Sequence, residues 1–419
     1  MHRLVILLGK GQENLSKETA RNYRLTKYYI DNKSNCVSTP FVGEAIIRLI
    51  NKFDILHIVG TKESMWEELF FHCIKDKLNE ENQKIWDDIY DVCEKRKLKD
   101  DPKAIDLYEN KVGQFFGLKV KINIIDTGKN VDEIWNIFKE ISSIPDTGDV
   151  ISLDITHGLR FQPFLVTLAL IYFKTLLEGI TVDEFYYGAF ELKEGKEEPA
   201  PIMRFGEIVK ILDWINAANS FKKYGDISAI NSLLNQNTEL TNAINDFVND
   251  IKLNRVTKIK ANAENLINKI SFYTRTNKPS DPFNYIKKSL IAFPEKIKRI
   301  DEDWRLLIML AKINWNNGFY ALSAMEAWEA IIHRAADLKK INTTKSFDNY
   351  QKVSNIVRGS KYLGKIAKDI SLFRNIIVHN AEKPNSKKEK ELINKFLQEF
   401  PVILEKLEAT LTKMDKDFN

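Results

Sequence analysis

Val150-Ile151-Ser152-Leu153-Asp154-Ile155-Thr156-His157-Gly158-Leu159-Arg160, followed directly by the apolar segment Gln162 to Leu177, decides the fold class of this chain. Val150 to Ile155 has the aliphatic run of a buried strand, a polar turn with glycine comes next, and the apolar residues beyond it recur at helical spacing. A strand that feeds a helix in this way is the building unit of parallel sheets. The same alternation recurs on either side. Strands are expected at Leu4 to Leu8, Ile55 to Val59, Val120 to Ile125 and Phe185 to Glu191, with helices at Val42 to Asn51, Met65 to Lys77 and Asp132 to Ile141. Tyr23 to Ile30 alternates at period two and reads as an early antiparallel strand. Asn79 to Gly117 is charged and helical in pattern, and reads as an insertion projecting from the sheet.

The alternation stops near Leu192. Lys193-Glu194-Gly195-Lys196-Glu197-Glu198-Pro199-Ala200-Pro201 is polar and proline-marked, which reads as a linker. From Ile208 onward, Ile208, Ile211, Leu212 and Ile215 recur at helical spacing and no strand pattern returns. A second break falls at Asn277-Lys278-Pro279-Ser280-Asp281-Pro282. The expected plan is an α/β domain over residues 1–200 with its insertion at about 79–117, a helical connector over 201–293, and an all-α domain over 294–419.

A chain of 419 residues is too long for one ordinary core, in keeping with that plan. Hydrophobic residues at 44% and charged residues at 29% exclude a disordered chain. A net charge of +5 is too small at this length to demand an anionic partner, so arguments about phosphate binding have to be local. Cys36, Cys73 and Cys93 are odd in number and scattered, which points to a reducing cytoplasm and offers no metal-ligand set. The apolar run Leu4 to Leu8 is too short for a signal peptide, and no apolar stretch reaches the roughly 18 residues of a membrane helix. Neither a metal nor a membrane association is expected.

Polar residues gather where the strands end, the edge at which open α/β sheets bind ligands. Gly9-Lys10-Gly11 follows the first strand; its glycines admit close approach of a phosphate to backbone N–H groups and Lys10 adds charge. It lacks the third glycine of a dinucleotide fingerprint and the Gly-Lys-Ser/Thr of a P-loop, which argues against a nicotinamide-dependent oxidoreductase, and a plain strand-end turn explains it equally well. Gly60-Thr61-Lys62-Glu63-Ser64-Met65-Trp66 opens a helix, where Thr61 or Ser64 serves either as a simple cap or as part of an anion site. Asp154-Ile155-Thr156-His157-Gly158-Leu159-Arg160 is the densest cluster: Arg160 can fork onto a phosphate, while Thr156 and His157 can hydrogen-bond a ribose or a base edge.

These segments, with Tyr186-Tyr187-Gly188-Ala189-Phe190-Glu191, Leu212-Asp213-Trp214 and Phe221-Lys222-Lys223-Tyr224-Gly225-Asp226, resemble the CRISPR-associated Rossmann-fold (CARF) domain and adjoining helices of type III CRISPR ancillary ribonucleases. The resemblance implies a cytoplasmic homodimer that senses cyclic oligoadenylate, with cyclic tetra-adenylate favoured over hexa-adenylate, bound by Gly9, Lys10, Gly11, Gly60, Thr61, Ser64, Thr156, His157, Gly158, Leu159 and Arg160. Slow cleavage of the activator in the sensor domain, with Thr156 aligning the ribose hydroxyl and Arg160 neutralising phosphate charge, is compatible with the same residues.

In the helical half stands Arg374-Asn375-Ile376-Ile377-Val378-His379. At about 100° per residue Asn375 and His379 share a helix face, whereas Arg374 and His379 lie roughly 140° apart. Arginine suits a phosphorane's negative charge and histidine suits proton transfer, although Arg and His at this spacing also arise by chance in many helical proteins. Arg-x4-His with Asn directly after Arg resembles the motif of the HEPN (higher eukaryote and prokaryote nucleotide-binding) ribonucleases. That resemblance implies catalysis by Arg374 and His379 with Asn375 in support, a site shared by two subunits, and metal-independent cutting of single-stranded RNA. Lys383, Lys387, Lys388 and Lys390 follow the motif and offer charge for RNA phosphate or, equally, a solvated helix end. His333 reads as structural. The competing readings are an unregulated HEPN ribonuclease toxin and a non-catalytic nucleotide-sensing regulator; the latter would need a DNA-recognition helix, and no stable DNA binding is expected.

Overall fold

The computed structural model describes residues 1–10, 25–77, 79–195, 197–224, 228–234, 238–277, 281–379, 387–415 and 418. Gly11, the pair Gly225-Asp226, Lys383 and the first residues of the expected Tyr23 strand lie outside them. The chain folds as two compact units, Met1–Lys210 and Ile211–Asn419.

The first unit is built on eight strands: β1 (His2–Leu8), β2 (Thr26–Tyr29), β3 (Cys36–Thr39), β4 (Ile55–Thr61), β5 (Lys119–Ile125), β6 (Val150–Asp154), β7 (Thr181–Gly188) and β8 (Ala200–Arg204). Their order is β3-β2-β8-β7-β6-β1-β4-β5. From β7 to β5 the pairing is parallel. The helices are α1 (Val42–Ile50), α2 (Trp66–Ile74), α3 (Glu80–Glu94), α4 (Pro102–Phe116), α5 (Val131–Ser142) and α6 (Gln162–Leu176). Leu4, Ile6 and Leu8 of β1 pack into one core with Ala45, Ile46, Trp66 and Leu69, while Val5 and Leu7 pack into another with Ile137, Val166 and Phe173. Successive side chains of a strand point to opposite faces, so a strand covered on both sides reads as the unbroken apolar run seen at Leu4 to Leu8. From β1 the chain winds outward to β4 and β5 and then returns to β6 on the other flank. The winding therefore reverses between β1 and β6, and a crevice at the carboxyl ends of those two strands is the site such sheets offer a ligand.

Three features differ from the sequence reading. The 79–117 insertion packs onto the sheet instead of projecting from it. Ile89, Cys93, Ala104, Tyr108 and Val112 are buried with Trp66 and Val120, and the Tyr108 hydroxyl donates to the Trp66 carbonyl at 2.9 Å. Ile89 and Cys93 on α3, and Ala104, Tyr108 and Val112 on α4, recur four apart and so form one buried stripe on each helix. Strand β3 was not expected; it pairs antiparallel with β2, which lies within the expected Tyr23 to Ile30 strand. The polar stretch read as a linker ends in strand β8, which pairs antiparallel with β7 and parallel with β2. Arg204 of β8 reaches Glu184 of β7, Nε to Oε2, at 3.0 Å.

The boundary between the units falls within α7 (Gly206–Tyr224). The second unit continues with α8 (Ser228–Leu233), α9 (Thr238–Lys252), α10 (Val256–Thr276), α11 (Phe283–Lys298), α12 (Asp303–Asn316), α13 (Tyr320–Lys339), α14 (Phe347–Gly359), α15 (Gly364–His379) and α16 (Lys387–Lys413). One apolar core runs through it, from Trp214 to Phe418, with Trp304, Trp328, Phe373 and Phe400 among its fully buried side chains. Phe373 stacks on Phe396 and lies near Phe400 and Trp315, which fixes α15 against α16 and α12. No helix among the described residues is long and apolar enough to cross a membrane.

Candidate functional site

The turn after β4 is a closed hydrogen-bonded knot. The Ser64 hydroxyl donates to the Leu8 carbonyl at 2.6 Å and accepts from the Thr61 backbone N–H at 2.9 Å; the Met65 N–H donates to the Gly9 carbonyl at 3.0 Å. The Trp66 indole donates to the Thr61 carbonyl at 2.8 Å. Gly60 is required beneath this ring, since a Cβ there would come within 2.8 Å of Trp66 and 2.9 Å of Ser64. Thr61 and Ser64 are buried; the Ser64 hydroxyl and the Met65 N–H fasten Leu8 and Gly9, while the Thr61 hydroxyl accepts from the Glu63 N–H at 3.3 Å within the turn. Lys10 is about half exposed and its Nζ lies 3.2 Å from Glu63, whose other oxygen lies 3.2 Å from Arg96. The hydrogen bond and charge of Lys10 hold the Glu63 carboxyl below its usual range. An anionic group entering here would compete with the Glu63 carboxylate for Lys10.

After β6 the Asp154 carboxylate accepts from the Thr156 backbone N–H at 2.9 Å and from its hydroxyl at 2.5 Å. The same hydroxyl accepts from the Gly188 N–H at 2.8 Å, tying the ends of β6 and β7 together. Burial pushes the Asp154 carboxyl up to about 6, against the pull of the two Thr156 hydrogen bonds, and its Oδ2 has no hydrogen-bond partner among the described residues. Desolvation lowers His157 to about 4, so its imidazole is neutral at pH 7 and can offer a ligand a hydrogen bond but not a charge. Gly158 has φ +100°, and a Cβ there would meet the Gln162 amide oxygen at 2.9 Å. That oxygen accepts from the Leu159 N–H at 2.9 Å while the Gln162 N–H donates to the Leu159 carbonyl at 2.8 Å, a reciprocal cap on the start of α6. Leu159 and Arg160 are exposed, and Arg160 forms no ion pair among the described residues. The structure thus brings Lys10, His157 and Arg160 to one edge of the sheet, beside the amino end of α6, where backbone N–H groups favour an anion.

In the helical unit, Arg374, Asn375 and His379 all lie on α15, with His379 as its last residue. Arg374 is half-buried and Asn375 exposed. Behind Arg374 stands a polar chain that sequence reading missed: the Trp328 indole donates to the Tyr350 hydroxyl at 3.2 Å, and that hydroxyl donates to Glu329 at 2.7 Å. Burial and Glu329 raise the Tyr350 hydroxyl, while Arg374 pulls it down, which places the guanidinium within electrostatic reach of this chain. His333 lies 4.0 Å from Asp303, and its neighbour Arg334 binds Glu302 and the carbonyls of Leu411 and Met414, a clasp on the end of the chain.

With this geometry in hand, comparison with known proteins places the first unit. Residues 4–191 match the family model described as "CRISPR system endoribonuclease Csx1, CARF domain". Residues 210–303 match "CRISPR-associated protein MJ1674, second domain". The two matches make the chain similar to CRISPR-associated CARF proteins, the first over most of the α/β unit. It is 26% identical over 389 residues to the CRISPR-associated protein MJ1674 of Methanocaldococcus jannaschii, an alignment covering 89% of this chain and 59% of that relative, so the chain spans less than two thirds of the relative's length. The two matching models end at residues 191 and 303, short of the Arg374 motif.

Within the first unit, the Lys10–Glu63–Arg96 cluster was not legible beforehand, because Arg96 comes from the loop joining α3 to α4 within the 79–117 insertion. Gln162 was also missed: it reaches back to the Leu159 N–H three residues earlier, but no Ser or Thr stands there to mark a capping box.

Proposed function

We propose that this protein is a type III CRISPR effector, an endoribonuclease switched on by cyclic oligoadenylate. The observation that carries the reading is the co-occurrence, on one chain, of a CARF domain with a basic, N–H-rich crevice at the carboxyl ends of β1 and β6 and an Arg-Asn-x-x-x-His sequence at the end of a helix in the second unit. A family whose description names an endoribonuclease supports it. In this reading the messenger's phosphates lie against Lys10, Arg160 and the N–H groups of Gly9 and the α6 start, its ribose or base edge meets His157, and Gly60, Thr61, Ser64, Thr156 and Gly158 hold those groups in place. Gly11, outside the described residues, extends the β1 turn.

Homodimerisation belongs to the same proposal. Phe164, Leu168, Tyr172 and Leu176, four apart on α6, are 65, 42, 46 and 56% exposed, a single apolar stripe starting one turn from Arg160. Burying that stripe against its own copy by a two-fold axis would set two Arg160 loops face to face, which suits a ring of repeated units. A ring of four is favoured over six. In the second unit Arg374 is assigned to the phosphorane charge and His379 to proton transfer, with Asn375 in support, and no metal takes part. At about 100° per residue, positions 374 and 379 of one helix lie roughly 140° apart, and a second subunit's helix would complete the site.

The experiment is cleavage of a labelled single-stranded RNA with cyclic tri-, tetra- and hexa-adenylate in turn. Stimulation by one ring supports the reading; identical cleavage with and without all of them, and no binding by calorimetry, overturns the sensor half. Degradation of the activator in the CARF domain is a separate question on which Thr156 bears: its hydroxyl already donates to Asp154 and accepts from Gly188, which leaves it poorly placed to align a ribose hydroxyl. An intact activator after prolonged incubation with His379→Ala protein is the expected outcome.

A further inference from the structure

The helical unit contains a cavity of about 770 Å³ between α7, α9, α11, α12 and the turn into α13. It is distant in sequence from the α15 motif and shares no residue with it. Its walls are mostly apolar, and the half-buried Phe293 and the exposed Phe319 present ring surface to it. Lys222, Lys252, Lys288 and Lys296 are also among its lining residues; all four are exposed and none has an acidic partner among the described residues. One buried polar group lines it. The Asn314 amide is 8% exposed, and its Nδ2 donates to both carboxylate oxygens of the wholly buried Glu326 at 2.9 and 2.8 Å, leaving Oδ1 as its remaining hydrogen-bonding atom. Asn317, also in the lining, adds a second amide.

We infer that this cavity is an exosite that takes one nucleotide of the single-stranded RNA substrate, its base between Phe293 and Phe319 against the two amides, and the flanking phosphates on the four lysines. The charge pattern argues for it: apolar and aromatic surface ringed by cations without carboxylate partners is the combination that holds single-stranded nucleic acid by stacking and by phosphate neutralisation. The amides decide between occupants. An acyl chain would leave the Asn314 oxygen facing hydrocarbon, whereas a base edge offers donors to it. The inference rests on the ribonuclease reading and names where its substrate is held away from the reacting phosphate.

The test uses the full chain. In His379→Ala protein, a single-stranded RNA carrying 4-thiouridine should on irradiation crosslink to peptides containing Phe293 or Phe319. In the otherwise unaltered enzyme, Lys252→Glu combined with Lys288→Glu should raise KM for RNA at least tenfold, the loss falling on KM and not on kcat. Single-stranded binding loses about 0.7 of logarithmic salt slope per phosphate contact, so the double variant should shed roughly 1.4 of that slope. Thermal unfolding and the activator concentration for half stimulation should stay as they were, which separates a lost contact from a damaged fold. Crosslinks confined to α15, or an unchanged KM and salt slope, would overturn the exosite while leaving the ribonuclease reading intact. An acyl chain found on the purified protein by native mass spectrometry, unmoved by RNA, would also overturn it. If the unaltered protein cuts no RNA under any activator, the ribonuclease reading fails and the exosite fails with it.

Discussion

The Ser64 hydroxyl donates to the Leu8 carbonyl at 2.6 Å, so the turn that follows β4 is fastened to the last residue of β1, one position before the Gly9-Lys10 turn. Ser64 is also the acceptor for the Thr61 N–H, and both residues are buried. Ser64→Ala leaves a buried carbonyl and a buried N–H without partners, and each such loss costs about 1–3 kcal/mol. The expected result is a lower unfolding temperature for the CARF domain by differential scanning calorimetry, together with weaker activator binding, although the side chain itself need not touch the ligand. An unchanged transition would show that water replaces both bonds.

Removal of either member of the proposed catalytic pair, Arg374 and His379, should act on the reaction and not on the fold. Arg374 is half-buried, while the core anchor of its helix is Phe373. Arg374→Ala and His379→Ala should each reduce RNA cleavage by 10²-fold or more, on the scale of general acid–base contributions, with unfolding temperature and activator affinity unchanged. Cleavage should persist in EDTA. Full activity in both variants would remove the assignment, and activity lost to EDTA and restored by a divalent ion would point to a metal-dependent nuclease.

What the sequence disclosed follows from how local each signal is. Leu4 to Leu8, Ile55 to Val59 and Val150 to Ile155 were legible as strands because a doubly covered strand is apolar throughout. Strand β8 was not, because Ala200-Pro201-Ile202-Met203-Arg204 lies on one of the sheet's antiparallel additions and carries a proline at its second position. The Asp154 to Arg160 cluster was visible as polar residues crowded behind a strand. The roles within it were not. Only the three-dimensional contacts show that Thr61, Ser64 and Thr156 turn their hydroxyls inward to the scaffold, whereas Arg160 stands at the surface outside any ion pair among the described residues and Lys10 stands there paired with Glu63. Tyr350 and Glu329 escaped notice for the same reason: they stand on two different helices, and nothing in their spacing announces that they meet behind Arg374.

The α6 stripe makes the oligomeric state testable at a chosen face. Leu168→Glu with Tyr172→Glu places two like charges on a surface that the proposed dimer buries, and should convert the protein to a monomer in sedimentation velocity without lowering helix content. Cleavage should then fall in parallel. Diluting the unaltered enzyme below its dimer dissociation constant should produce the same loss of specific activity. A monomer that cuts at full rate would refute the composite site.

Glu326 gives the helical unit a pH signature. Burial raises its carboxyl to about 8, so the folded state keeps a proton that the unfolded chain releases at an ordinary carboxyl value. Its contribution to stability is therefore fully present at acid pH and is lost as the pH rises through about 8. Glu326→Gln keeps the hydrogen-bonding shape toward Asn314 and removes the titration. Thermal unfolding of the variant should be flatter with pH between 5 and 9 and should exceed the unaltered protein at pH 9. A wild-type-like slope would mean that Glu326 is ionised in the native core.

Activation is the last consequence, and it separates the two sites by the kind of loss each produces. A ligand shifts an equilibrium only by its difference in affinity for two states, so a residue that contacts the messenger alters the concentration needed while leaving the catalytic ceiling in place. Arg160 is exposed and outside any ion pair among the described residues, so Arg160→Ala should cost no stability. It should raise the activator concentration for half-maximal cleavage about tenfold, equivalent to about 1.4 kcal/mol, and leave the rate at saturating activator near its original value. His157→Ala should do the same by removing a neutral hydrogen-bonding group, and its effect should therefore vary little with salt, unlike that of Arg160→Ala. His379→Ala should show the opposite pattern, with activator binding kept and cleavage abolished. Linkage adds a check independent of turnover: if the messenger tightens RNA binding by some factor, an uncleavable 2′-deoxy-substituted RNA must tighten messenger binding by the same factor. Calorimetry of each ligand in the presence and absence of the other measures both sides of that equality, and a messenger affinity indifferent to RNA would mean that the two sites are uncoupled in binding.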